Sequence, residues 1–186
     1  MVEDLICINI EGDNKLVRDR TKWQKPETGW WKVNTDAAFS AGSSIGAGGA
    51  IIRDAGGCLL AAAAKRYEHV HDTLTAEAMA ARDGLQLAAE NGYERVTLEI
   101  DCLPLFNLLQ SDMGVRSSIA GLWHEIRELG KGFSFKLSFV YRDGNEAAHA
   151  YARLVSESSP VVSWLNSFSL CLLRVTEKDC NPGSYD

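Results

Sequence analysis

The sequence predicts an α/β fold in which a five-stranded mixed sheet, an antiparallel meander followed by parallel strands, is flanked by helices. Short runs of alternating apolar and polar residues recur along the chain, first at Trp31, Val33 and Thr35 and later at Val96, Leu98 and Ile100. Runs of period two read as strands with one buried face. Between the later runs lie alanine- and leucine-rich stretches long enough to be helices, and strands joined through a helix run parallel. The predicted order is βββαβααβα.

In the first strand Lys32, Asn34 and Asp36 alternate with the apolar row, so Asp36 lies opposite that row. A Gly/Ser turn over residues 40–49 leads to two short strands, 50–53 and 58–61, around the reversal Asp54-Ala55-Gly56-Gly57. Residues 73–91 favour helix: Asp72 or Thr73 can cap it, alanine is abundant, and Asn91-Gly92 can stop it. On that helix Glu77, Ala80, Ala81, Gly84 and Ala88 share one face, a stripe small enough to lie close to a sheet, with Glu77 pointing toward it. The fourth strand, residues 95–101, ends on Asp101. Helices over 103–111 and 118–129, a strand over 133–141 and a last helix from 145 to about 156 complete the domain.

A chain of 186 residues has room for one domain with a real core. Residues 1–28 mix charges, Gly12 and Pro26 with one brief apolar run and read as a tail; residues 29–158 read as the domain, and 159–186 as a C-terminal tail with a short helix. A net charge of −6 argues against a protein that coats nucleic acid through bulk charge, and leaves room for an acidic enzyme with a local basic groove. Lys65, Arg66, Arg116, Lys131, Lys136 and Arg142 are candidate phosphate contacts, but they are spread out. Trp123 and Trp164 read as packing residues rather than base-stacking platforms. The five cysteines form neither a CxxC pair nor a Cys/His cluster, so free thiols in a reducing compartment are expected. The acidic N-terminus lacks the form of a secretory signal, and no apolar stretch reaches the ~20 residues that span a bilayer. These features predict an intracellular protein of nucleus or cytoplasm, not a secreted one.

Asp36, Glu77 and Asp101 come from the first strand, the first helix and the end of the fourth strand, a placement that allows them to converge. Converging carboxylates repel unless a cation neutralises them, so the trio is either a divalent-metal site or three unrelated surface acids. The Gly-x-Gly-Gly run lacks the Lys-Ser/Thr of a phosphate loop and the spacing of a dinucleotide fingerprint.

The blocks WWKVNTDAA (30–38), GAGGAIIRD (46–54), TAEAMAA (75–81), LEIDC (98–102) and NEAAHAYA (145–152) occur in the order found in plant reverse-transcriptase-like, type 1 ribonuclease H-like domains. The chain resembles that family over about residues 30–158, and the sequence VVSWL from Val161 resembles the short tail such domains carry. The resemblance implies a ribonuclease H-like fold and a metal-dependent hydrolase that cleaves the RNA strand of an RNA–DNA hybrid, with Mg2+ or Mn2+ as cofactor. It also implies that Asp36, Glu77 and Asp101 are the first three members of an Asp-Glu-Asp-Asp metal site. At the fourth place stands His149, with Asn145 one turn earlier in a position to cap the last helix. His149 then has three readings: a ligand better suited to Mn2+ than to Mg2+, a proton shuttle, or a hydrogen-bonded structural histidine. Gly46, Gly48, Gly49 and Asn145 are the implied nucleic-acid contacts, with a plain hairpin turn as the other reading of the glycines. Relatives with Asp-x-Glu on the first strand are set aside because Ala38 follows Asp36 by two, and those with a last-helix glutamate because Glu77 is on the first helix. A retroelement-derived domain that binds nucleic acid or protein without cutting is the alternative function.

Overall fold

The computed structural model describes residues 22–168 and 170–180. The apolar run at residues 5–10 and the rest of the segment 1–21 lie outside them. Strands β1 (Trp31–Ser40), β2 (Ile45–Arg53) and β3 (Leu59–Tyr67) form an antiparallel meander. Helix α1 (Thr73–Glu90) leads to β4 (Arg95–Ile100), parallel to β1; helices α2 (Leu103–Leu109) and α3 (Ala120–Lys131) lead to β5 (Ser134–Phe139), parallel to β4. Helix α4 (Glu146–Ala152), strand β6 (Val161–Leu165) and helix α5 (Leu170–Cys180) follow. The α/β mixed sheet thus has the expected meander and parallel half, but six strands in the order β5-β4-β1-β2-β3-β6 rather than five. The sixth is β6, which pairs antiparallel with the outer edge of β3. No helix among the described residues is long and apolar enough to cross a membrane.

Helices cover both faces. On one, Val33, Ile52, Val96, Leu98 and Ile100 of the sheet pack with Leu85 of α1, Leu105 of α2, and Trp123 and Ile126 of α3. Trp123 donates from Nε1 to the Leu108 carbonyl at 2.8 Å, as a buried indole requires. On the other face Ile51 and Ala62 pack with Ala147 and Tyr151 of α4, and Trp164 of β6 and Val175 of α5 close over them. Strand β1 is therefore buried on both faces, not one: Lys32, Asn34 and Asp36 are enclosed like Val33 and Thr35. Residues 22–28, read from the sequence with the tail, bring Trp23 onto this second face, where it is buried.

Helix α1 begins where Asp72 accepts a 2.7 Å bond from the Thr75 amide, and ends at Asn91 with Gly92 at positive φ. Its small face meets β1 at van der Waals distance. A Cβ on Gly84 would stand 2.6 Å from Thr35 Cγ2 and 3.0 Å from Val33 Cγ1. Helix α4 approaches β2 more closely, since a Cβ on Gly49 would lie 2.4 Å from the Ala152 amide nitrogen and 2.5 Å from the Ala148 carbonyl oxygen. Backbone atoms cannot swing aside as a side chain can, so Gly49→Ala must push α4 off the sheet. The expected cost is about 1–3 kcal/mol, read as a lower urea midpoint with an unchanged slope; a midpoint equal to that of the native chain would show that α4 is not held by this contact.

Candidate metal centre

The pairing of β1 with β4 places the first two acids together. Thr35 lies opposite Ile100 in the parallel register, so the residues that follow, Asp36 and Asp101, stand side by side where β4 ends. Glu77 comes from α1, seven residues before Gly84, and seven helical residues span about 10 Å. With Gly84 seated on Val33 and Thr35, this offset carries Glu77 along β1 to the level of Ala37, whose amide donates to its carboxylate. Each of the three residues offers a carboxylate oxygen within 4.8 Å of the others, and Asp36 and Glu77 are buried. The structure brings together all three acids singled out in the sequence.

Their electrostatics are those of crowded, desolvated acids. Burial and then the charges of Asp36 and Asp101 push Glu77 up to about 9. Burial and the Asp36 charge raise Asp101 to about 6, and burial raises Asp36 against the opposing pull of His149. Among the described residues no lysine or arginine forms an ion pair with Glu77 or Asp101. Arg142 acts at longer range and favours the charged form of all three. A cluster whose donors are all carboxylate oxygens suits a hard divalent cation, which would replace the missing positive charge. The trio therefore fits a metal.

His149, on α4, reaches the cluster through Asp36: Nδ1 lies 2.7 Å from Asp36 Oδ2. Asn145 stands at the N-cap of α4 but makes no side-chain capping bond. Its side chain turns inward instead, donating to the Thr35 carbonyl at 2.9 Å, accepting from Asn34 Nδ2 at 3.1 Å, and hydrogen-bonding Asp101. Inward satisfaction wins because a buried amide left without partners costs more than an uncapped seven-residue helix. Asn34 also donates to Glu99 at 2.8 Å and accepts from Trp23 and Arg53 at 2.9 Å each. The Arg53 guanidinium stacks 3.6 Å from the Trp23 ring, and Lys32 bonds Glu99 at 2.8 Å and the Gln24 carbonyl at 2.6 Å. A buried polar network thus runs from Trp23 to Asp101.

Gly46, Gly48 and Gly49 lie inside β2, not in a turn. The space above them is filled: by Tyr67 and Val70 over Gly46, by the Tyr67 ring over Gly48 and by α4 over Gly49. Sequence reasoning gave Asn34, Arg53 and Trp23 no role, and treated Arg142 as one scattered cation among several. Only the unbroken polar row Lys32, Asn34, Asp36 hinted at a buried network.

A family model described as reverse transcriptase-like matches residues 34–155. A curated protein of Arabidopsis thaliana named "Putative ribonuclease H protein" is 27% identical in an alignment that covers 78% of this chain and 28% of that protein. The chain therefore corresponds to just over a quarter of that relative. Among solved structures, the N-terminal RNase H domain of a Mycobacterium tuberculosis protein matches with a TM-score of 0.60 at 17% identity, covering 66% of this chain and 89% of that one. RNase H1 of the archaeon Halobacterium salinarum matches at 0.58 and 23% identity, covering 66% and 93%. LC11-RNase H1, solved in complex with an RNA/DNA hybrid, matches at 0.55 and 15% identity, covering 65% and 92%. These likenesses establish the fold.

The raised carboxyls dictate how stability responds to pH and metal. A group that titrates higher in the folded chain than in the unfolded one holds its proton preferentially when folded. Its contribution to metal-free stability is present at low pH and is lost as pH rises from about 4 through about 6 for Asp101 and about 9 for Glu77. Glu77→Gln should therefore raise the metal-free Tm at pH 8 by about 2–4 °C, the shift that ~1 kcal/mol produces in a domain of this size, and should abolish the further rise that Mg2+ or Mn2+ gives the native chain. A variant less stable than the native chain at pH 8 without metal would contradict this account of the cluster.

Proposed function

Because the chain belongs to the reverse transcriptase-like family and carries a ribonuclease H-like fold, we propose that it is a divalent-metal-dependent ribonuclease acting on the RNA strand of RNA–DNA hybrids. The observation that carries the proposal is the convergence of Asp36, Glu77 and Asp101 without a neutralising cation. In this reading the three carboxylates hold Mg2+ or Mn2+. When bound, divalent ions activate water and stabilise the leaving oxygen of a phosphodiester.

The chain's own residues set up that chemistry. Ala37 N–H and Asn145 fix the Glu77 and Asp101 carboxylates, so neither must reorient when its proton leaves. His149 Nδ1 holds Asp36 Oδ2, which requires a proton on one of the two atoms. Tight packing of α1 and α4 against the sheet leaves Asp36 and Glu77 buried from bulk water, with Asp101 partly open to it. The free thiols of Cys58 and Cys102 fit the reducing intracellular setting, nucleus or cytoplasm, that the reading assumes.

A second reading, nucleic-acid binding without cleavage, is favoured by His149 at the place of the fourth acid. Incubation of a labelled RNA–DNA hybrid with Mg2+ or Mn2+ separates the two. Cleavage by the native chain that falls to background in Asp36→Asn establishes the ribonuclease; hybrid binding without cleavage by either establishes the second reading. His149→Asp should raise Mg2+-dependent cleavage if position 149 serves the metal, and an unchanged rate would assign His149 to holding Asp36 alone.

A further inference from the structure

Beside the carboxylate cluster the chain has a second recess. The turn before α4, the solvent side of α4 and helix α5 enclose a cleft of about 810 Å3 lined by Arg142, Asp143, Glu146, His149, Arg174 and Val175. Two of its walls belong to the family-matched segment, but Arg174 comes from α5, beyond residue 155. Helix α5 packs on α4, and its Val175 joins Trp164 of β6 against the core cluster of α4 and the sheet. His149 is common to both sites, since the same ring that lines the cleft bonds Asp36.

We propose that this cleft receives one ribose–phosphate unit of the RNA strand, a reading that rests on the proposed function and extends it to a specific subsite. Arg142 and Arg174 are exposed, and their planar forks donate to phosphate oxygens in a fixed geometry. Asp143 and Glu146 stand on the same wall, also exposed. Carboxylates repel a bare phosphate, but they accept a hydrogen bond from a ribose 2′-hydroxyl, the group that tells RNA from DNA. Two guanidiniums with two acceptors match a phosphate joined to a ribose better than they match a deoxyribose backbone. The placement also suits the chemistry, because an RNA strand seated here passes His149 on its way to the three carboxylates.

Fluorescence anisotropy with an RNA–DNA hybrid and a DNA duplex of the same sequence, in Ca2+ at several salt concentrations, tests the cleft. The native chain should prefer the hybrid. Arg174→Ala should weaken hybrid binding about tenfold, the loss expected for one charge-assisted contact, and should lower the slope of log affinity against log salt by about one. Arg174→Lys, which keeps the charge but loses the fork, should restore the slope and only part of the affinity. Glu146→Gln should narrow the preference for hybrid over duplex. Arg174 is exposed, so circular dichroism should show every variant folded. Hybrid affinity and salt slope of Arg174→Ala within twofold of the native chain would overturn the cleft and leave the proposed function standing; failure of the native chain to bind the hybrid would overturn both.

Discussion

The absence of two β-carbons governs the geometry of this protein. Gly84 lets α1 rest directly on Val33 and Thr35, and Gly49 lets the backbone of α4 touch β2 at Ala148 and Ala152. The two contacts fall on opposite faces of adjacent strands, and Gly49 is the residue paired with Asp36 across the β1–β2 ladder. Both helices are thereby drawn to one point on β1. From α1 Glu77 arrives at Ala37; from α4 His149, the residue after Ala148, arrives at Asp36. Helix–sheet spacing normally accommodates side chains on both surfaces, and a methyl group at either glycine would move the side chain it positions by more than a hydrogen bond tolerates.

The second face of β1 obeys a different constraint. Its buried row is polar, and burial of Lys32, Arg53 and Glu99 is sustainable only because each has partners. Asn34 sits at the centre, with its carbonyl accepting from Trp23 and Arg53 and its amide donating to Glu99 and Asn145. All of its lone pairs and protons are committed, so a slip in the β1–β4 register would strand several buried groups at once. The network acts as a register lock, and the same register places Asp36 beside Asp101. Fold specificity and site geometry here have one cause.

Local chemistry made much of this legible in advance. The strand positions, the Asp72 cap, the Asn91-Gly92 stop and the small face of α1 are properties of neighbouring residues, and the structure has them where the sequence implies them, although β1 is buried on both faces where its alternation implied one. What escaped the sequence was set by distant partners. Strand β6 is recognisable only once β3 offers an open edge, and its five residues alternate too briefly to declare themselves. The glycines of β2 read as a turn because glycine is rare in strands; their reason for being there, the Tyr67 ring and α4, lies 19 to just over 100 residues away. Asn145 read as a cap for the same reason, since its inward partners Asn34 and Thr35 are 111 and 110 residues distant.

The chain's net charge of −6 and its proposed polyanionic substrate are reconciled by where the charges sit. Three acids are gathered at one point, where burial favours the protonated form of each and the Asp36 charge adds to this for Glu77 and Asp101, with Glu77 pushed up to about 9. A divalent cation bound there would displace protons and leave a site that no longer repels phosphate. Arg142 lies close enough to favour the charged form of every member of the cluster, which lowers the cost of losing those protons. On the proposed function the attraction to nucleic acid is then local and conditional on metal rather than spread over the surface. A protein built this way has, on that function, no need of a basic face, because the carboxylates that contribute to its acidity include the three that would hold the cation.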